Sequence, residues 1–365
     1  MNLYLHIGTE KTGSSYLQYL CANNRPYLLQ NQIYFPSAGI REMDMKSGAI
    51  SPGNGKQLFE AFEKGYEKVY KLLNRYKTNA LQNSADAILL TNENLIEQLC
   101  KKECIKILLQ VSDHLNIVIQ PMLVILRDPV NQAISLYKHR AKRGTVGNVE
   151  QWVKHGYHLD KQLSGLSKIR EKFDVTLKFR KYNRSDNTLE GIFFEDWLQI
   201  TTPAHDKSIV VNPSLTLSEL NLQRQLFINA PDVCHLYYKK MSELKNSDKA
   251  SDKQYESLFK RTISKHLINH TTTWEWCNKQ LPASEQIELP DEGAGVEEST
   301  VDSVAPVFSD SQLEVLSKVI SESRTLKFAI KNKSQKLKAR LLRFIPDNIV
   351  RKLVILKYKL LGKAF

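Results

Sequence analysis

The stretch Asn2-Leu3-Tyr4-Leu5-His6-Ile7-Gly8-Thr9-Glu10-Lys11-Thr12-Gly13-Ser14-Ser15-Tyr16-Leu17 constrains the chain more than any other. Its opening run is short, apolar, aromatic and β-branched, which suits a buried strand, whereas Tyr16-Leu17 and Tyr19-Leu20 carry the spacing of a helix. Between them, Gly8 and Gly13 permit backbone angles and close approach that a Cβ would prevent. A strand, a glycine-bounded loop and a helix in that order gather unpaired N–H groups and the positive end of a helix dipole at the loop. Thr12, Ser14 and Ser15 add hydroxyls there, and Lys11 adds a mobile positive charge. The pattern predicts a phosphate cradle. Its plain alternative is a glycine-rich turn with a surface lysine.

The order of residues limits the kind of cradle. In an ATP- or GTP-hydrolysing loop the lysine follows the second glycine, whereas Lys11 precedes Gly13. A second anion signature lies in Met122-Leu123-Val124-Ile125-Leu126-Arg127-Asp128-Pro129, followed by Ser135. The apolar run predicts another buried strand, and Pro129 suits the first turn of a helix because its missing N–H costs no hydrogen bond there. Arg127 offers a planar fork to phosphate oxygens, and Ser135, in the second turn, offers a hydroxyl. Asp128 as a helix cap and Arg127 in a surface ion pair is the plain alternative. Two anion sites on separate strands imply a nucleotide carrying two phosphate groups.

These residues resemble a known family. LHIGTEKTGSSYLQ is similar to the 5′-phosphosulfate loop of sulfotransferases that use 3′-phosphoadenosine 5′-phosphosulfate, and LRDPVNQAISLYKH to their 3′-phosphate segment. Three weaker stretches, Ala87–Leu95, Leu177–Tyr182 and Asn212–Thr216, resemble the bacterial carbohydrate-type branch, so the likeness covers roughly the first 230 residues. The resemblance implies a P-loop-like α/β fold with a central, mostly parallel sheet flanked by helices. It implies that Lys11 touches the 5′-phosphate and the bridging oxygen, that Gly8, Thr12, Gly13, Ser14 and Ser15 wrap that phosphate, and that Arg127 and Ser135 take the 3′-phosphate. Sulfuryl transfer builds negative charge on the departing phosphate, which a preplaced cation and aligned amides stabilise without a metal. The acceptor it implies is a hydroxyl of a carbohydrate or glycolipid, in surface polysaccharide biosynthesis.

The catalytic base departs from the family. Members of this kind carry a glutamate shortly before an aromatic pair after the first helix, but here Asn31 and Gln32 precede Tyr34-Phe35. Glu93, just beyond the strand Ile88-Leu89-Leu90, is the first candidate, because the ends of parallel strands open onto the ligand crevice. Its alternative role is to cap a helix beginning near Asn94. Glu42, Asp44 and His139 are the other candidates.

Charge is uneven. Residues 327–365 hold twelve Lys or Arg against Asp347, a net of +11, so the rest of the chain carries only +2 of the total +13. The high isoelectric point therefore says nothing for nucleic acid, since no basic stripe interleaved with aromatics accompanies it. Within the tail, Ile349, Leu353, Leu356 and Leu360 share one helical face, with Arg351, Lys352, Lys359 and Lys363 largely on the others. Such a helix either lies on an anionic membrane surface or docks its apolar face on the protein. The odd set of five cysteines without CxxC reads as idle thiols, and the nine histidines form no zinc pattern. With a strand starting at Asn2 and no long apolar run, the expectation is a cytoplasmic enzyme, peripheral to the membrane at most.

The expected organisation is an α/β core over 1–230, a helical continuation over 231–280, an acidic linker over 281–306 and a helical extension with the basic tail over 307–365. Helices are expected over 56–83, 94–114, 157–173, 214–229 and 252–270, a strand over 175–179, and a substrate-facing polar loop at Ser51-Pro52-Gly53-Asn54-Gly55. Two other classes fit parts of the pattern: a nucleotide or small-molecule kinase, which needs Mg²⁺, and a glycan-binding protein that keeps the fold without catalysis.

Overall fold

A computed structural model describes residues 1–49, 51–142, 149–182, 189–204, 215–289 and 307–323. The architecture is α/β with a parallel central sheet flanked by helices, and a helical C-terminal region. Strands β1 (Asn2–His6), β2 (Ile33–Tyr34), β3 (Ala87–Thr91), β4 (Val118–Ile119), β5 (Met122–Leu126) and β6 (Leu177–Lys181) form one sheet in the order β2-β3-β1-β5-β6. β4 pairs with the start of β1 and β5 with its end, so the two act as one strand interrupted at Pro121, which has no N–H to give. β3 and β5 are buried throughout, as their unbroken apolar runs require of strands covered on both faces. The core on one face gathers Leu89, Leu123, Ile125 and Phe193 beneath α1 (Ser14–Asn23), whose Leu17, Leu20 and Cys21 complete it.

Contacts divide the chain into two units. The first holds the sheet and its helices up to residue 204, together with 253–289; the second holds Lys142, Leu215–Asp252 and 307–323. This division crosses the sequence-read boundaries, since 253–289 belongs with the sheet and 215–252 does not. Part of the expected linker is docked structure: Leu281 and Ile287 are buried, and the Glu285 carboxylate accepts from the Lys181 N–H at 2.8 Å and from Arg180 at 3.2 Å. The remainder of that stretch, 290–306, and the basic tail lie outside the described residues.

The second unit is organised on a buried carboxylate. Thr216 and Glu219 form a reciprocal cap at the start of the Leu217–Asn229 helix, and Glu219 also holds Lys249 at 3.1 Å and Gln312 at 2.7 Å. Asn212, Pro213 and Ser214, read as part of a family-like stretch, lie outside the described residues.

Three expected helices are divided. The one over 56–83 breaks into Lys56–Phe62 and Tyr66–Gln82 at Gly65, whose φ is 82°. The one over 94–114 becomes Leu95–Leu99 and Lys102–His114, parted at Lys101, whose backbone is extended. The last runs over Lys253–Leu267 and then tightens into a short turn, Ile268–His270.

The polar loop at 51–55 has a structural task. β2 pairs only with Ala87 and Ile88, so the edge of β3 beyond them lacks a strand neighbour. Asn54, fully buried, takes that place: its Oδ1 accepts from the Thr91 N–H at 2.8 Å and its Nδ2 donates to the Leu89 carbonyl at 2.9 Å. Gly53, at φ 74°, passes so close that a Cβ would strike the Thr91 carbonyl. Asn54→Ala leaves both backbone groups buried without partners and is expected to cost about 2–4 kcal/mol, measured as a lower denaturant midpoint at unchanged slope.

Candidate functional site

From β1 the chain moves one way, to β2 and β3, and later the other way, to β5 and β6. Crevices in parallel sheets open at the carboxyl ends of strands where that direction reverses. The loop after β1 and the turn after β5 leave the sheet side by side at this point, because β1 and β5 are neighbours.

Backbone bonds carry the first loop along β5. The Ile7 N–H donates to Leu123 O at 3.1 Å, and the Thr9 hydroxyl donates to Ile125 O at 2.9 Å. Thr12 donates its hydroxyl to Thr9 O at 2.6 Å, closing the loop on itself. Lys11, at φ 67°, and Gly13, at φ 88°, are both left-handed. Gly13 bears this without cost, and a Cβ there would run into Leu189, whereas Lys11 carries strain of about 1 kcal/mol. Gly8 is needed for space, since a Cβ would stand 2.6 Å from His6 Nε2. α1 then begins without a capping side chain or an acidic residue in its first turn, so its leading N–H groups are left for another acceptor. Ser14 and Ser15 sit in that turn, and Ser14, 3% exposed, has its hydroxyl toward the Glu93 carboxyl.

The second turn is built by Asp128, which accepts from the Asn131 N–H at 2.8 Å and so starts the Pro129–Ala141 helix. Arg127, just before it, has its guanidinium 5.9 Å from the centre of the Tyr182 ring. Ser135 is partly exposed on the same helix, three residues beyond Gln132. Gln132 joins the two turns by donating to Glu10 O at 3.0 Å, and Arg140 bonds the Glu10 carboxylate at 2.8 Å.

Glu93 arrives from β3. The Asn92 N–H donates to His6 O at 3.0 Å, continuing the β1–β3 pairing and bringing the next residue to the loop. The Leu95–Leu99 helix has no side-chain cap, so Glu93 does not fill that role; Asn92 closes the turn before it, its Oδ1 accepting from the Asn94 N–H at 2.7 Å. Glu93 keeps some solvent contact, yet the protein crowds its carboxyl and pushes the pKa up to about 7. Burial is the largest cause and the Glu10 charge adds to it, while Lys11 and the Ser14 hydroxyl pull the other way.

Of the other candidate bases, Glu42 is committed to Arg25, Ala38 N–H and Ser37. Burial raises its pKa, but those partners outweigh burial and hold the carboxyl below its usual range. Asp44 pairs with Arg41 at 2.8 Å. His139 is partly exposed on the helix that carries Ser135.

The sequence reading missed several polar residues at this edge. His6 and Thr91 pair across β1 and β3, and Gln18 lies one turn beyond Ser14 on α1. All are buried, and the His6 ring, Thr91 Oγ1 and Gln18 Oε1 have no hydrogen-bond partner within the protein. Burial drops the His6 pKa to about 4, so its ring is neutral, set edge-on against Phe193. The only trace in sequence was a histidine at the end of an apolar strand.

Among the described residues no helix is long and apolar enough to cross a membrane, and no group of His, Cys, Asp or Glu is arranged to hold a metal ion. Comparison with family models, curated proteins and solved structures finds no match for this chain.

Proposed function

We propose that the chain is a sulfotransferase that moves a sulfuryl group from 3′-phosphoadenosine 5′-phosphosulfate to a hydroxyl of a carbohydrate or glycolipid. The observation that carries this reading is the meeting of two anion-suited turns, one with Lys11 and one with Arg127, at adjacent strand ends and bonded through Gln132 and Glu10. The uncapped start of α1 fits an anion at the first turn. Thr12 fits as the residue that shapes the loop rather than as a hydroxyl donor, since its proton goes to Thr9.

The chemistry assigns roles by charge. As the acceptor oxygen bonds to sulfur and the bond from sulfur to the phosphate oxygen breaks, negative charge grows on the nucleotide, where Lys11 and the α1 amides stabilise it. Glu93 takes the proton of the attacking hydroxyl, a task suited to a carboxylate poised near 7. Arg127, with Ser135, holds the second phosphate. The basic segment 327–365 completes the proposal as a contact with an anionic membrane, where glycolipid acceptors reside.

Equilibrium binding of adenosine 3′,5′-bisphosphate tests the donor site. We expect binding that is unchanged by Mg²⁺ or EDTA and weakened about 30- to 100-fold by Arg127→Ala, which removes a charge-assisted contact of about 2–3 kcal/mol. Binding only with Mg²⁺ would favour a kinase instead. Transfer of ³⁵S from labelled donor to glycans, glycolipids and small alcohols then identifies the acceptor.

A further inference from the structure

Two helices start side by side at the crevice end of the sheet. α1 opens on Gly13, and the π-helix Gly191–Trp197 opens on Glu190. Both lie on one face of the sheet, where Leu17 and Leu20 from the first and Phe193 and Trp197 from the second share a buried core with Leu89 and Leu123. Phe193 meets the His6 ring at the carboxyl end of β1, and Trp197 meets Tyr4 two residues earlier, so the second helix descends along β1 from the crevice. A helix wound this widely is rare and recurs at functional sites.

Two contacts join the helix starts. Leu189 fills the space over Gly13, where a Cβ would stand 2.3 Å from its Cδ2. Tyr16, in the first turn of α1, donates its hydroxyl to Glu190 Oε1 at 2.6 Å. Burial and then the Glu190 carboxylate push the Tyr16 pKa up, so the phenol keeps the proton that it donates. By charge alone Glu190 does not suit this place, because a carboxylate beside an anion site repels the anion. The hydrogen bond gives it another task. The Tyr16 and Leu17 N–H groups both return to Gly13 O, at 2.9 and 3.2 Å, so Tyr16 belongs to the turn whose leading N–H groups are left for an outside acceptor.

We propose that Glu190 is a positioning residue of the donor site: by accepting from Tyr16 it pins the first turn of α1 to the start of the neighbouring helix and keeps the Ser14 and Ser15 N–H groups aimed at the anion. The proposal rests on the reading of the first loop as an anion site. Binding of adenosine 3′,5′-bisphosphate to the full chain tests it by the sign of the effect. If the Glu190 charge acted only as a charge, Glu190→Ala would tighten binding. Positioning predicts the reverse, with affinity about 5- to 10-fold weaker in both Glu190→Ala and Tyr16→Phe, the loss of one partly exposed hydrogen bond to a charged group. Glu190→Gln removes the charge but keeps an acceptor for the phenol, and is expected to bind within about twofold of the unaltered protein. Tyr16→Phe combined with Glu190→Ala is expected to bind no more weakly than either alone, because both remove the same bond.

Equal or tighter binding in Glu190→Ala overturns the proposal. So does a loss in Glu190→Gln as large as in Glu190→Ala, or losses that add in the double variant. ¹⁵N NMR of the ligand-free chain gives a readout that needs no nucleotide. Tyr16→Phe and Glu190→Ala are expected to displace the Ser14 and Ser15 amide signals in the same direction, and Glu190→Gln to leave them close to their original places. An unaltered chain that binds no bisphosphate overturns the proposed function; the amide signals then decide the pinning of the turn, and unmoved signals overturn it.

Discussion

Lys11→Ala is expected to reduce kcat for sulfuryl transfer at least 10³-fold, about 4 kcal/mol of transition-state stabilisation, with a smaller loss in donor affinity. The split follows from when the charge appears. Lys11 meets a modest negative charge on the bound donor and a growing one as the sulfur–oxygen bond breaks, so most of its contribution belongs to the transition state. The backbone strain should be unchanged, because alanine and lysine bear a similar cost at φ 67°. Lys11→Gly, which relieves that strain, is expected to raise Tm while losing turnover equally. Activity retained within tenfold in Lys11→Ala would remove the lysine from the chemistry, and with it the sulfotransferase reading.

Glu93→Gln is expected to lower kcat by 10²- to 10⁴-fold, the range for a positioned general base. The direction of the pH dependence is fixed by which form is active. The carboxylate accepts the proton, so kcat rises with pH through about 7 in the unaltered protein, and Glu93→Gln loses that limb. Stability moves the opposite way. A carboxyl whose pKa is raised on folding favours the folded state at low pH, and that contribution is lost as pH rises from about 4.5 through about 7. At pH 8 Glu93→Gln should therefore be more stable than the parent by about 2 kcal/mol, allowing for the solvent contact Glu93 keeps. Equal loss of activity and stability at pH 8 would mean that the residue is structural.

The elements that the chain announces are those whose local chemistry agrees with their surroundings. β3 and β5 are apolar runs buried throughout and β1 is mostly apolar, and all three lie inside the sheet rather than at its edges. The turn into the Pro129–Ala141 helix was readable because an Asp–Pro pair caps and starts a helix by itself. The helix breaks were harder. Gly65 adopts a left-handed angle that a helix-rich composition conceals, and Lys101 interrupts a periodic stretch with no glycine or proline to mark it. The structural task of the Ser51–Gly55 loop was not legible, because polar residues usually seek water, whereas Asn54 spends its amide on the edge of β3.

By itself the sequence determined where β1, β3, β5 and, to within two residues, β6 run, but not the short β2 and β4; it also showed that a strand, Gly8 to Gly13 and a helix meet in a loop suited to an anion, and that a second such turn follows β5. These are local matters, decided by side-chain periodicity and by backbone freedom at a few glycines. Only the tertiary structure decided that the two turns are neighbours, that Asn92 and not Glu93 closes the turn after β3, and that Glu10 and Lys11 both bear on Glu93. Those facts depend on which strands pair, because residues far apart in sequence share one electrostatic environment only when the sheet order brings their strand ends together.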